Sequence, residues 1–179
     1  MAEAAFVPAG SRLVAPAGAV VAAFDRLASE LQTHVARGPA VLLGVMLGGV
    51  VPLVEIARRL RGDFLLDYCH LTRYDGARAG GEVRWLQQPR IPLEGKSVII
   101  VDDIYDEGAT LAEARRHCVA SGARDVRVAV LVRKRHDRAV HMPLPEHVGL
   151  EVGDEYVFGC GMDLDGRWRH LDALYAAAP

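Results

Sequence analysis

Between residues 20 and 132 the apolar positions alternate between two spacings, and the alternation predicts the fold. Val20, Phe24, Leu27, Ala28, Leu31 and Val35 recur at helical intervals, and Gly38-Pro39 ends that helix. The run AVLLGVM (40–46) has no polar break, as expected of a strand covered on both faces. Gly48-Gly49 makes a turn into a helical segment, VVPLVEIARRL (50–60), and FLLDYCHL (64–71) follows as a second strand. RYDGARAGGEVRW (73–85) is polar and glycine-rich, and reads as a long loop or mobile hairpin. Val98–Val101 forms a third strand, 110–121 a helix closed by Gly122, and VRVAVLV (126–132) a fourth strand. Beyond it the rhythm breaks into short pieces, VGLEV (148–152) and EYVFG (155–159). Strands alternating with helices imply βαβ units, hence an α/β fold: a mostly parallel twisted sheet flanked by helices, in a single domain. Residues 1–18, rich in Ala, Pro and Gly, predict a loose or docked arm.

Composition narrows the function classes. A net charge of −2 offers no surface for nucleic acid or an anionic membrane. Cys69, Cys118 and Cys160 are odd in number and share no CxxC spacing, which argues against a disulfide framework or zinc site and for a reducing compartment. No basic leader and no apolar run near the roughly 20 residues of a membrane helix is present, so the expected location is cytoplasmic.

The candidate chemistry lies in VIIVDDIYDEGATLAEA (98–114). Four carboxylates, Asp102, Asp103, Asp106 and Glu107, crowd the end of a buried strand. In parallel α/β sheets, ligands sit outside the carboxyl ends of the strands, where these acids stand. The loop from Asp106 to Thr110 then opens a helix, and its glycine lets backbone N–H groups turn inward toward an anion. The same few residues therefore offer amides to a phosphate and carboxylates to hydroxyls or a metal, a combination matched by ribose 5-phosphate. Competing motifs fail. EGKS (94–97) precedes its strand and has Arg90 where a P-loop needs glycine. GCGMDLDG (159–166) has Leu164 at the third glycine position and no helix after it. The acid pair of a receiver domain would follow the first strand, not the third or fourth.

VIIVDDIYDEGAT resembles the phosphoribosyl-diphosphate (PRPP) signature of type I phosphoribosyltransferases. LVRKRHDRAV (131–140) and VGLEVGDEYVFGCGMDLDGRWRHL (148–171) resemble the base-reading strand and C-terminal hood of the 6-oxopurine branch, the hypoxanthine-guanine phosphoribosyltransferases. The likeness runs from about Val41 to Leu171. It implies the type I phosphoribosyltransferase fold, with a core over about 19–135 and a small hood over about 140–179 that includes the N-terminal arm. It also implies Mg²⁺-dependent transfer of 5-phosphoribosyl from PRPP to hypoxanthine, guanine or both. By that resemblance Asp102 and Asp103 hold ribose hydroxyls directly or through Mg²⁺, and Asp106 is the general base at the purine imidazole. Glu107, Gly108, Ala109 and Thr110 form the 5-phosphate loop. Leu47, Gly48 and Gly49, with Arg169 and Arg73, meet pyrophosphate. Lys134 donates to the purine 6-oxo group, Tyr156 stacks on the base, Val157 offers backbone groups, and Asp163 faces a second Mg²⁺. Residues 73–85 take the place of a closing lid, and the family implies a homodimer or homotetramer.

Four positions depart from the family pattern. Asp102 stands for a glutamate, Leu47 for a basic residue, Arg73 for the serine of a Ser-Tyr pair, and Glu107 for a hydroxyl residue. A carboxylate at 107 has to point away from a phosphate dianion. The histidines show no metal-ligand spacing and receive no role; Trp85 and Trp168 read as packing residues. Two other readings are an enzyme for xanthine or another oxopurine, and a PRPP-sensing regulator without catalysis. The slightly acidic balance, the lack of an added helix-turn-helix, and the joint presence of Asp106 and Lys134 speak against the sensor.

Overall fold

The computed structural model describes residues 7–73 and 83–178. Its order is β1 (Arg12–Ala15), α1 (Ala17–Val35), β2 (Ala40–Met46), α2 (Val50–Ala57), β3 (Phe64–Arg73), β4 (Val83–Gln87), β5 (Ser97–Tyr105), α3 (Ala109–Ala120), β6 (Asp125–Lys134), β7 (His147–Val152), β8 (Val157–Phe158) and β9 (Leu174–Ala176). Six strands form the main sheet in the order β4-β3-β2-β5-β6-β7, and β1-β9-β8 form a small second sheet. β3, β2, β5, β6 and β7 run parallel; only β4 at one edge is antiparallel, paired with β3.

The unbroken apolar runs follow from helices on both faces. Along β2, Ala40 and Leu42 enter the core under α1 and α2, whereas Val41, Leu43 and Val45 enter the core under α3. β5 divides likewise, with Ile99 and Val101 on one side and Val98 and Ile100 on the other. α1 contributes Phe24, Leu27 and Leu31 to the first core, and α3 contributes Leu111, Ala114 and Cys118 to the second. No helix among the described residues is long and apolar enough to cross a membrane. The three cysteines are free and buried, with thiol pKa values that burial pushes up to about 12.

The structure corrects the sequence reading at one segment and decides between its alternatives at two. VGLEV belongs to the main sheet, as β7 beside β6, and not to the hood. Its hydrophobic pattern is too short to reveal which sheet would claim it. For 73–85, read as a long loop or a mobile hairpin, the antiparallel pairing of β4 with β3 favours the hairpin, and β4 runs on to Gln87; Trp85 donates from Nε1 to Glu113 Oε1 at 2.8 Å and packs its ring on His117. Residues 74–82, most of the segment expected to act as a lid, lie outside the described residues. The arm is docked where it is described: Arg12 faces Ala176 across the small sheet.

Candidate functional site

β5 carries the acids further into the sheet than the sequence suggests. The strand continues through Tyr105, held by β6 as far as the Tyr105–Arg133 register pair, so Asp102 and Asp103 are strand residues and both are buried. Among the described residues neither carboxylate has an ion-pair partner. Asp102 Oδ1 instead accepts the Asp103 backbone N–H at 2.9 Å. Burial, followed by the charge of Asp103, drives the Asp102 pKa upward. Burial also raises Asp103, to about 6, against the opposing effects of Asp102's hydrogen bond and the Arg169 charge.

Glycines let the surrounding chain close over these acids. A β-carbon at Gly48 would lie 2.1 Å from Asp103 Oδ2, and one at Gly161 would lie 2.1 Å from the Gly48 carbonyl oxygen. The turn Leu47-Gly48-Gly49 and the hood therefore meet directly above Asp103. Arg169 reaches the same place: it donates from Nη1 to the Gly161 carbonyl at 2.6 Å and pairs through Nη2 with Asp163 Oδ1 at 2.6 Å. Asp163 also accepts the Gly166 N–H at 2.8 Å, so both of its oxygens are engaged in this structure. Leu47 is exposed. The Arg73 backbone ends β3, and its side chain lies outside the described residues.

Two cavities open from the acid cluster. One, of about 240 Å³, is lined by Asp102, Asp103, Ile104 and the loop from Asp106 to Leu111. Gly108 turns that loop with φ 78° and precedes α3, where a β-carbon would strike the Tyr105 ring at 2.6 Å. Ala109 and Thr110 begin the helix and line the cavity, so the helix start, whose first N–H groups have no partner within the helix, lies beside it. Tyr105 donates its hydroxyl to the Met142 carbonyl at 2.7 Å, and the His141 N–H meets the Glu107 carbonyl at 2.7 Å, fixing the loop from behind. The second cavity, of about 190 Å³, is lined by Asp103, Ile104, Asp106, Lys134, Tyr156, Val157, Met162 and Asp163. Lys134 ends β6, Val157 is buried in β8, and Tyr156 is half-exposed at the rim.

Asp106 stands between the cavities in a cationic setting. Arg138 Nη2 donates to its Oδ1 at 2.6 Å, and Lys134 Nζ lies 3.4 Å from Oδ2. Burial acts to raise this carboxyl, but the Arg138 hydrogen bond and the Lys134 charge outweigh it and hold the pKa below the ordinary value. Arg138 also reaches Glu107 at 3.4 Å and pairs with Asp154 in the hood. Glu107 thus has a cationic partner beside the loop. Arg138 and His136, the latter with Nε2 2.9 Å from Asp106 Oδ1, were missed by the sequence reading. A signal was available: Lys134, His136 and Arg138 recur at intervals of two just where a strand ends, which puts them on one side of an extended chain.

A family model described as a phosphoribosyl transferase domain matches residues 14–165. The chain belongs to the phosphoribosyltransferase family. This phosphoribosyltransferase is 30% identical over 132 residues to a hypoxanthine phosphoribosyltransferase of Escherichia coli (strain K12), covering 73% of this chain and 74% of that protein. It is 29% identical over 140 residues to a hypoxanthine-guanine phosphoribosyltransferase of Mycobacterium avium, covering 78% and 68%. Its fold matches the crystal structure of a hypoxanthine-guanine phosphoribosyltransferase from Bacillus anthracis with a TM-score of 0.86 at 23% identity, over 93% of this chain and 98% of that one. It matches a hypoxanthine phosphoribosyltransferase structure from Staphylococcus aureus with a TM-score of 0.87 at 21% identity, over 94% and 91%. The phosphoribosyltransferase therefore has the type I fold expected from its sequence, and it is an enzyme.

Proposed function

We propose that the enzyme transfers 5-phosphoribosyl from PRPP to hypoxanthine, guanine or both, releasing pyrophosphate. The observation that carries this reading is the pair of adjoining cavities that share Asp103, Ile104 and Asp106. One offers amides and a helix start to a phosphate. The other offers a partly buried lysine and an aromatic rim to a flat base. Lys134 donates to a 6-oxo group and would confront a 6-amino group with no acceptor, which favours oxopurines over adenine. The names of the E. coli and M. avium relatives point the same way.

In this reading the purine nitrogen attacks the ribose anomeric carbon, the bond to pyrophosphate breaks, and Asp106 receives the proton shed by the imidazole ring. Arg169 and the Gly48 turn lie where pyrophosphate would depart, and the guanidinium fork suits that anion. Asp102 and Asp103 hold the ribose hydroxyls. Their buried, unpaired carboxylates also fit Mg²⁺, which would neutralise charge developing on the leaving pyrophosphate. No cluster of three or more His, Cys, Asp or Glu able to hold a metal exists among the described residues. Mg²⁺ held by the Asp102–Asp103 pair would take its remaining oxygens from substrate and water. Asp163 could join such a set only by turning from Arg169.

An assembly of two or four copies is supported by an apolar face. Leu66 and Tyr68, register partners of Leu42 and Gly44, extend the sheet face that α2 covers and remain exposed, as do Val50 and Val54 on α2.

Incubation with hypoxanthine, PRPP and Mg²⁺ tests the reading by the appearance of inosine monophosphate, with guanine and xanthine in parallel. Asp106→Asn should lower turnover at least about 100-fold while calorimetry finds PRPP binding nearly intact. Product formation unaffected by that change would refute the assigned base, and heat with PRPP but no product from any purine would favour a sensor.

A further inference from the structure

Lys134, His136 and Arg138 all converge on one carboxylate, but they do so with different freedom. Lys134 is a long chain that the proposed reaction recruits to the purine oxygen. Arg138 is exposed and has Glu107 and Asp154 as further partners, so it keeps carboxylate contacts if Asp106 turns away. The His136 side chain is only 4% exposed, and its ring is fixed: Nδ1 accepts the Arg138 backbone N–H at 3.1 Å. In the neutral ring that bond places the proton on Nε2. Nε2 lies 2.9 Å from Asp106 Oδ1, yet the N–H is not in line for a hydrogen bond, and no other group satisfies this buried nitrogen. Arg138 donates to the same oxygen at 2.6 Å.

A buried donor left unsatisfied beside a carboxylate costs free energy unless another arrangement of that carboxylate uses it. An apolar ring would fill the space without this penalty. We propose that His136 is a positioning residue: when Asp106 turns from Arg138 toward the purine, the fixed Nε2–H engages Oδ1 and leaves Oδ2 aimed at the imidazole N–H of the base. This inference rests on Asp106 being the group that receives the purine proton. It assigns to the neighbouring histidine the orientation of that group, which Arg138 cannot maintain once the contact between them opens.

Two variants separate positioning from packing. His136→Asn retains an acceptor near the Nδ1 position for the Arg138 N–H but loses the outer N–H. His136→Gln places an amide N–H near the Nε2 position. The expected result is a kcat lower by about tenfold in His136→Asn, with PRPP affinity unchanged, and recovery of most of that loss in His136→Gln. The acidic limb of kcat should also move to higher pH in His136→Asn, because a carboxylate stripped of a donor holds its proton more tightly, with Lys134 and Arg138 still facing it. Wild-type kcat in His136→Asn, alongside an impaired Asp106→Asn, would overturn the positioning role and leave the proposed reaction standing. Equal kcat losses in both histidine variants, accompanied by lower melting temperatures, would overturn it in favour of simple packing. Full activity in Asp106→Asn would overturn both the inference and the reading beneath it.

Discussion

Asp103 and Asp106 are three residues apart on one chain segment and face the same cavities, yet their surroundings push them in opposite directions. Asp103 is buried without an ion-pair partner among the described residues, and its carboxyl is raised to about 6. Asp106 is more than a third exposed and has Arg138, Lys134 and His136 around it, so its carboxyl is lowered. The first is an electrostatic burden on the folded protein, which under the proposed function hydroxyls or a cation would relieve. The second is neutralised within the protein and, under the same proposal, would have to leave its partner before acting on a base. A single acidic cluster thus contains one group left without a counter-charge and one neutralised by its own neighbours.

The largest test of that contrast is Asp103→Asn against Asp106→Asn. Both should abolish most turnover, by about 100-fold or more. Their stabilities, measured by calorimetry at pH 7.5 without substrates, should move apart. Removing the buried charge at 103 should stabilise on the order of 1–3 kcal/mol, a rise of several degrees in Tm. Removing the carboxylate at 106 leaves Arg138 and Lys134 facing each other and should destabilise by no more than about 1 kcal/mol, because the site is partly solvated. Two shifts of the same sign would break the comparison.

A pH series sharpens it. The folded-state carboxyl of Asp103 lies above its unfolded value of 3.8, so the folded protein binds more protons between about pH 4 and 6. Stability from this group is therefore fully present below pH 4 and is lost as pH rises through 6. The Tm advantage of Asp103→Asn over the wild type should be near zero at pH 4, open across that window and level off above it. An advantage that does not depend on pH would mean that repacking, not charge, separates the two proteins.

The smallest effect belongs to Glu107→Thr, which restores the hydroxyl usual in the family. Arg138 loses a 3.4 Å contact but keeps Asp106 and Asp154, so stability should change by under about 0.5 kcal/mol. PRPP affinity should rise a few-fold as a negative charge leaves the phosphate loop. Weaker PRPP binding in this variant would show that Glu107 contributes more than its contact with Arg138.

Much of the sheet was legible because the cores on its two faces require unbroken apolar strands, and 40–46 and 98–101 state that requirement directly. The acid cluster and glycine turn were legible because unusual residue types were crowded into a few positions. The Asp106 surroundings were legible only in part: the two-residue spacing of Lys134, His136 and Arg138 puts them on one side of the chain but does not say which acid they face. His136 and Arg138 lie within a basic run whose local pattern suits a solvated surface, and only the packing of β6 against β5 brings that run to an acid thirty residues away. The fate of 148–152 was equally hidden, since a short strand carries no mark of the sheet that will accept it. The glycines at 48 and 161 could be seen, but their mutual contact could not, because it depends on the hood folding down on the first turn.

The small sheet joins segments that are distant in sequence. β1 pairs with β9, and β9 in turn holds β8, which carries Val157 of the proposed base pocket. The phosphate-side machinery of β5, α3 and β6 is assembled from near neighbours in the chain. The opposite wall depends on a pairing between segments far apart in sequence, Arg12 with Ala176. On refolding, the strands around Asp102 and Asp103 can therefore assemble before the wall that carries Val157, and pulse-labelled hydrogen exchange should find amides at 157–158 protected later than those at 98–101.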